Sequence, residues 1–150
     1  MMNGGEGGGC VEKCQDTGKS ENQSCTILVV DDDEAMRNLL AEALQERGCE
    51  VIELDNGDEA LALVEERVPT LIVTDLRMPG GGFAYLERLR ERVPDCPIVL
   101  MTAYGDAQSK AKALGCGLKG YFEKPVRIQD LKSWICQICL TYPCGNVPLL

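Results

Sequence analysis

Apolar residues along the chain form two alternating patterns, short runs typical of strands and stripes typical of helices. The runs predict five strands, at Thr26–Val30, Glu50–Leu54, Thr70–Thr74, Pro97–Met101 and Gly120–Glu123. Apolar residues spaced three or four apart predict five helices, at Glu34–Arg47, Asp58–Glu66, Gly82–Glu91, Ala107–Leu114 and Ile128–Leu140. In the first helix, the stripe expected to face the core consists of Met36, Leu39, Leu40, Ala43 and Leu44.

The strict alternation of strand and helix indicates a doubly wound α/β fold. Strands one and three are nearly continuously apolar, as expected of strands covered by helices on both faces. Because crossover connections are right-handed, few topologies remain, and we predict a five-stranded parallel sheet in the order 2-1-3-4-5 with five helices. Ligands of such sheets bind outside the carboxyl ends of the strands, where the strand order reverses. We therefore expect the functional site after strands one and three.

Polar residues of particular types end or follow four of these strands. Asp31 and Asp32 follow the first strand, and Asp75 follows the third. Thr102 follows the fourth strand and Lys124 follows the fifth. Because the carboxyl ends of parallel strands share one edge of the sheet, three carboxylates, a hydroxyl and an ammonium group should converge there.

This set of groups favours a hard cation and a phosphoryl group. Three carboxylates close together repel one another, and without a cation each would have a raised pKa. Oxygen ligands without Cys or His select Mg²⁺, Mn²⁺ or Ca²⁺, and Mg²⁺ with carboxylates and a phosphate is the commonest arrangement. An ionised Asp75 could then attack phosphorus while Lys124 and Thr102 stabilise the transferred group. Asp33 is expected to cap the first helix, but a cap does not account for Asp75.

Composition narrows the classes of protein that the chain can represent. It has 150 residues, which suits one domain, with 24 acidic and 15 basic residues and a formal net charge of -9. An acidic chain is a poor candidate for direct nucleic-acid binding and suits protein partners. The absence of histidine excludes histidine-based catalysis and imidazole metal ligands. With no long apolar run and no secretory signal, we expect no membrane segment and a cytoplasmic location.

Nine cysteines are unusual for such a chain. Their odd number, without a secretory signal, argues against a complete disulfide framework. Two groups at the ends of the chain could meet on the side of the sheet opposite Asp75, where thiolates would suit zinc or an iron–sulfur cluster. Buried cysteines on a helix usually act instead as small apolar residues, so we assign these no role. The two groups are Cys10, Cys14 and Cys25, and Cys136, Cys139 and Cys144.

Five segments together resemble the receiver domains of two-component response regulators, in particular the stand-alone, chemotaxis-regulator type. The resemblance covers about Thr26 to Leu140. It implies a receiver domain at 26–140. The Gly-rich, polar composition of residues 1–25 predicts a disordered tail that contains Gly and Cys. The short tail at 141–150 shows no output domain, so we expect either a stand-alone receiver or a fragment of a longer regulator. The matching segments are Ile27–Asp33, Asp55–Leu61, Asp75–Gly80, Met101–Gly105 and Lys124-Pro125.

The resemblance implies a role for each residue at the strand ends. Asp75 would accept a phosphoryl group from a phosphohistidine of a sensor kinase or of a histidine phosphotransfer protein. Asp32, Asp75 and the backbone carbonyl of Arg77 would bind Mg²⁺ directly. Asp31 would act through a metal-bound water, and Lys124 would contact the phosphoryl group. The domain would not be an enzyme beyond promoting its own phosphorylation and dephosphorylation.

The same resemblance implies a conformational switch. Thr102 would move toward the phosphoryl oxygens, and Tyr121 would turn inward into the space that Thr102 leaves. A cis peptide bond is implied between Lys124 and Pro125. Because Arg77 and Tyr104 are bulky residues beside the expected path of the hydrolytic water, we predict a phosphoryl group that survives for minutes rather than seconds. A downstream protein would bind the surface of the fourth helix, fifth strand and fifth helix, and phosphorylation could drive dimerisation.

Two alternatives and one departure from the family pattern remain. Asp31 and Asp33 match the start of the Asp-x-Asp-x-Thr/Val motif of haloacid-dehalogenase-type phosphatases, but Ala35 does not fit its last position. A receiver used only for docking would lack the acceptor or the lysine, and this chain has both. The departure is Gly80–Gly82, three consecutive glycines that we expect to be flexible and to weaken the entry to the third helix.

Overall fold

The computed structural model describes residues 25–46, 48–103 and 106–141. Within them, five parallel strands form one sheet in the order β2-β1-β3-β4-β5, as the sequence predicts. The strands are β1 (Thr26–Val30), β2 (Glu50–Leu54), β3 (Leu71–Asp75), β4 (Ile98–Thr102) and β5 (Gly120–Glu123). The helices are α1 (Glu34–Gln45), α2 (Gly57–Glu66), α3 (Phe83–Arg92), α4 (Ala107–Gly115) and α5 (Ile128–Thr141).

Two strands end one residue later than predicted, and the difference concerns the functional site. Asp75 and Thr102 are the last residues of β3 and β4, not the first residues of the following loops. Asp75 is aligned with Met101 in the β3–β4 pair, and Thr102 with Glu123 in the β4–β5 pair. Because both residues are paired with a neighbouring strand, the sheet fixes the backbone position of each.

The core has two layers, one on each face of the sheet. Side chains of β1 alternate between them, so that Ile27 and Val29 face one layer while Leu28 and Val30 face the other. The first layer is closed by α1 and α5, the second by α2, α3 and α4. Every residue of β1, β3 and β4 is buried, as expected for a parallel sheet covered by helices on both faces.

Helix α1 follows the sequence prediction except at one position. Asp33 is its N-cap, and the Asp33 side chain accepts a hydrogen bond from the Met36 amide at 3.2 Å. The prediction that Leu39 faces the core is wrong, because its side chain is 55% exposed. The buried stripe is rotated and includes Ala41 instead.

The three-glycine loop before α3 is held by hydrogen bonds rather than left open. The Gly82 amide donates to the Leu76 carbonyl at 2.8 Å, and the Gly57 amide donates to the Pro79 carbonyl at 2.8 Å. A Cβ atom added at Gly57 would overlap the carbonyl oxygen of Gly80. The turn before α2 and the loop before α3 therefore pack backbone against backbone, which requires glycine at position 57.

Several predictions concern parts of the chain outside the described residues. They are the tail at 1–24, Tyr104, residues 142–150, the cysteines at 10, 14 and 144, and the side chains of Cys136 and Cys139. Of the terminal cysteines with described side chains, Cys25 is buried in the core layer beneath α1 and α5. None of the helices in the described part of the chain has the length and apolar character needed to cross a bilayer.

Candidate functional site

The carboxylates of Asp31, Asp32 and Asp75 form a cluster at the carboxyl end of the sheet. Val30 is aligned with Thr74 in the β1–β3 pair, so the next residues of the two strands, Asp31 and Asp75, lie side by side. One oxygen from each of the three carboxylates lies within 4.8 Å of the others. The predicted convergence of these three side chains is therefore present in the structure.

The three carboxylates differ in their exposure to solvent. Asp31 is fully buried, Asp75 is 5% exposed, and Asp32 is exposed. The Asp31 side chain accepts a hydrogen bond from the Asp33 amide at 2.9 Å, which fixes its orientation at the start of α1. Two carboxylates thus form the floor of the cluster, while Asp32 lies at its open side.

Lys124 bridges the two buried carboxylates. Its Nζ lies 2.8 Å from Asp31 Oδ2 and 3.0 Å from Asp75 Oδ2. The peptide bond between Lys124 and Pro125 is cis, as the family resemblance implies, and the Lys124 amide donates to the Thr102 carbonyl at 2.8 Å. Burial lowers the pKa of Lys124, but its hydrogen bonds with Asp31 and Asp75 outweigh burial and raise the pKa above its ordinary value. The lysine is therefore held as a cation.

The two oxygens of the Asp75 carboxylate contact different partners. Oδ1 accepts hydrogen bonds from the amides of Leu76 at 2.6 Å and Arg77 at 3.3 Å, while Oδ2 contacts Lys124. Burial is the largest influence on this group and raises the pKa of Asp75, although Lys124 and the Leu76 amide act in the opposite direction. Ionised Asp75 is thus oriented by its partners but poorly solvated.

This cluster has the chemistry of a divalent cation site. Its donors are all carboxylate oxygens, the type that Mg²⁺ and Ca²⁺ bind, and no cysteine belongs to it. When all three carboxylates are ionised, the single ammonium of Lys124 leaves an excess of negative charge. Because Asp32 lies on the open side, a cation could reach the cluster from solvent. Asp31, Asp32 and Asp75 therefore fit the predicted Mg²⁺ on the nature and proximity of their donors.

Thr102 and Tyr121 lie on the two strands beside β3. Thr102 is 1% exposed at the end of β4, one residue beyond Met101, which is aligned with Asp75. Tyr121 lies on β5 with its ring partly buried, and its hydroxyl is buried without a hydrogen-bond partner among the described residues. The Lys110 ammonium of α4 lies 5.6 Å from the centre of that ring. The aromatic residue of the predicted switch is thus held by a contact from the neighbouring helix.

Sequence reasoning missed Arg37, which supports the cluster from α1. Its Nη1 donates to the backbone carbonyl of Asp31 at 2.7 Å, and its Nε lies 3.3 Å from a carboxylate oxygen of Glu53 on β2. The guanidinium therefore links the turn that carries Asp31 and Asp32 to the edge strand. In the sequence, Arg37 is marked only by its position one helical turn after the Asp33 cap. Arginines at such positions are common on solvated helices, so the position did not indicate a role in the site.

Comparisons with known proteins agree with this geometry. Residues 27–135 match the response regulator receiver domain family. A 14.6 kDa protein of Leptolyngbya boryana encoded in the sodA1 3' region is 38% identical over 120 residues, which cover 78% of this chain and 92% of that protein. The chain spans only 22% to 58% of several longer regulatory proteins that it also matches.

Solved receiver structures share the fold. A CheY-like response regulator receiver domain protein from Methanospirillum hungatei superposes with a TM-score of 0.72 at 28% identity, covering 76% of this chain and 92% of that one. A response regulator from Burkholderia pseudomallei, solved with a phosphorylated aspartic acid, a calcium ion and citrate, has a TM-score of 0.67 at 29% identity, covering 73% and 65%. With this fold and the match over residues 27–135, the chain belongs to the response regulator receiver domain family of two-component signal transduction.

Proposed function

We propose that Asp75 is the phosphoacceptor of this receiver, and that it takes a phosphoryl group from a phosphohistidine of a sensor kinase or a histidine phosphotransfer protein. The observation that supports this most directly is the buried pair of Asp31 and Asp75 bridged by Lys124 at 2.8 and 3.0 Å. A carboxylate beside a cation site and a fixed ammonium can attack phosphorus while both charges stabilise the transferred group.

Mg²⁺ would be held by Asp32, Asp75 and the backbone carbonyl of Arg77, with Asp31 acting through a water. The ion would neutralise the charge of the phosphoryl oxygens. Support comes from the all-oxygen cluster and from the Burkholderia relative, whose structure combines a phosphorylated aspartic acid with a calcium ion. Lys124 would move its contact from the free carboxylate to the phosphoryl group.

Thr102 and Tyr121 would report the phosphorylation to the surface. Thr102 would follow the phosphoryl oxygens, and Tyr121, whose hydroxyl has no partner among the described residues, would turn into the space vacated. Helix α4 suits a mobile element because Ala113 is its single buried side chain. The surface of α4, β5 and α5 would then bind a downstream protein, or a second phosphorylated copy of this chain.

The lifetime of the phosphoryl group, the dimer and the cytoplasmic location stay predictions. Arg77 is exposed beside Asp75, as a residue screening the hydrolytic water would be, and a decay over minutes is expected. Size-exclusion chromatography with light scattering on phosphorylated and unmodified protein measures the dimer.

The acceptor is tested with acetyl phosphate and Mg²⁺, followed by intact mass. We expect an acid-labile phosphoryl adduct that is absent without Mg²⁺ and absent in Asp75→Asn. Asp55→Asn is the matched control, because Asp55 follows β2 at the same edge of the sheet but lies outside the carboxylate cluster. An adduct that persists in Asp75→Asn, or a wild-type protein that stays unmodified, contradicts the proposal.

A further inference from the structure

Beneath Asp75, two buried hydroxyl groups form a hydrogen-bonded pair inside an apolar layer. Tyr85 is 2% exposed and Thr74 is fully buried, and the Tyr85 hydroxyl lies 2.9 Å from Thr74 Oγ1. Tyr85 belongs to the first turn of α3, and Thr74 precedes Asp75 in β3. The layer around them is mainly aliphatic, and buried hydroxyls in such surroundings are expected to be hydrogen-bonded.

The direction of these hydrogen bonds follows from the number of available protons. Thr74 Oγ1 donates its single proton to the backbone carbonyl of Asp75, 2.9 Å away, and a carbonyl can only accept. Thr74 must therefore accept from the Tyr85 hydroxyl. Burial raises the pKa of Tyr85 far above its ordinary value, so the tyrosine keeps the proton that it donates.

The chain of hydrogen bonds continues into the candidate phosphoacceptor. The Asp75 carbonyl and the Leu76 amide belong to the same peptide group, and the Leu76 amide donates to Asp75 Oδ1 at 2.6 Å. A rotation of this peptide group would break both its contact with Thr74 and its contact with the carboxylate. The orientation of Oδ1 is thus linked, through one rigid peptide plane, to the hydroxyls of Thr74 and Tyr85.

Helix α3 needs such an anchor in this chain. Its N-cap is Gly82, which makes no side-chain capping bond, and its first turn carries no acidic residue. The Tyr85 hydroxyl ties that first turn to β3, directly below the loop that joins Asp75 to the helix. The N-terminus of α3, which the sequence predicts to be weak, is thereby stabilised by the hydrogen bond between Tyr85 and Thr74 of β3.

We propose that Tyr85 and Thr74 are positioning residues, which hold the peptide group after Asp75 and so orient its carboxylate for phosphoryl transfer. The inference rests on the proposed role of Asp75. It predicts that loss of either hydroxyl slows phosphorylation without changing which residue is modified.

Four variants separate positioning from general stability. Thr74→Val removes the donor to the Asp75 carbonyl, whereas Thr74→Ser keeps it. Tyr85→Phe keeps the ring and removes only the hydroxyl. Thr26→Val is the matched control, because Thr26 is a buried, hydrogen-bonded strand threonine at the opposite end of the sheet. The rate of phosphorylation is measured at saturating acetyl phosphate and Mg²⁺, together with the Tm of each variant.

We expect Thr74→Val to react about two- to tenfold more slowly, the effect of one neutral hydrogen bond expressed as a rate. Thr74→Ser should retain the wild-type rate, and Thr26→Val should lower the Tm without changing the rate. Tyr85→Phe should slow the reaction less than Thr74→Val, and should have no further effect in the Thr74→Val background. A wild-type rate in Thr74→Val, a slow Thr74→Ser, or independent effects of the two substitutions would overturn the proposal.

A second measurement keeps the inference testable if Thr74→Val does not fold or the wild-type protein is not phosphorylated. In Tyr85→Phe, the amide proton of Leu76 should shift upfield in NMR spectra, because its peptide group is less polarised. An unchanged Leu76 resonance would overturn the proposed link from Tyr85 through Thr74 to the peptide group after Asp75, whatever the result of phosphorylation. Conversely, a shifted resonance in a protein that acetyl phosphate never modifies refutes the proposed function of Asp75 alone.

Discussion

Replacing Lys124 with Met tests how much its ammonium stabilises the two buried carboxylates. The substitution removes the ammonium that lies 2.8 Å from Asp31 Oδ2 and 3.0 Å from Asp75 Oδ2. Methionine retains most of the apolar stem, so the main loss is the charge. The Asp31 and Asp75 carboxylates would then face each other without a cation in a site where one is fully buried and the other nearly so.

The expected loss of stability can be worked from these distances. At an effective dielectric constant of about 20, each contact corresponds to a gross attraction of about 6 kcal/mol. Desolvation of the three ions offsets most of that attraction, and breaking a buried pair from one side typically costs about 3–5 kcal/mol. We expect a loss of about 3 kcal/mol, at the lower end of that range, because Asp75 can relieve the repulsion by taking up a proton.

The pH dependence of this loss has a definite sign. The pKa of Asp75 is already raised by burial in the wild-type protein, and removal of Lys124 raises it further. As the pH falls, Asp75 becomes protonated and its repulsion with the Asp31 carboxylate disappears. The destabilisation should therefore be larger at pH 8 than at pH 5. Mg²⁺ should restore more stability to Lys124→Met than it adds to the wild-type protein, since it replaces the missing positive charge.

Urea unfolding followed by tryptophan fluorescence measures these differences. Trp134 is the single tryptophan and packs edge-on against Phe122, with ring centres 6.0 Å apart, so its emission reports the folded state. Lys132→Met is the control, because Lys132 lies 3.7 Å from Glu46, whose side chain is 73% exposed. That surface pair should contribute less than about 1 kcal/mol. A loss in Lys124→Met no larger than in Lys132→Met, at pH 8 without Mg²⁺, would refute the reasoning.

Three further predictions concern other parts of the structure. Because burial raises the pKa of Asp75, the contribution of this carboxyl group to stability without Mg²⁺ is present below its unfolded pKa of 3.8 and is lost as the pH rises through the folded pKa. In urea unfolding, Asp75→Asn should therefore be more stable than the wild-type protein at pH 7, and the difference should vanish in acid. Gly57→Ala should lose about 3 kcal/mol in the same assay, because its methyl group meets the Gly80 backbone, whereas Gly115→Ala, with open space around it, should lose nothing. Burial raises the pKa of Cys96 to about 12, so peptide mass mapping after brief iodoacetamide treatment at pH 8 should find native Cys96 unmodified and the more accessible Cys116 alkylated; equal labelling of the two would contradict the described packing.

The alternation of strands and helices was readable from the sequence because it depends on local periodicity. Strand β1 and helix α2 illustrate this: each shows its own apolar pattern within a few residues, and each forms where predicted to within one residue. The strand order followed from the handedness of the connections rather than from any one residue. The chemistry of the strand ends was also readable, since Asp31, Asp75 and Lys124 are defined by position relative to their own strands.

Contacts between elements could not be read in this way. The burial of Leu39 depends on how α1 is rotated against the sheet, and that rotation places Ala41 inward instead. The hydrogen bonds of Arg37 with the Asp31 carbonyl and of Tyr85 with Thr74 join residues whose neighbours in sequence give no sign of the partner.

The sequence by itself thus determined the elements, their order and the types of charged group at the carboxyl end of the sheet. Only the tertiary structure decided that one ammonium bridges Asp31 and Asp75, and that a tyrosine of α3 is hydrogen-bonded to the strand that ends in the acceptor. The physical reason is the distance along the chain over which the deciding interactions act. Secondary structure follows from interactions between near neighbours along the chain, whereas an ion pair or a buried hydrogen bond depends on strand register, helix rotation and side-chain reach acting together.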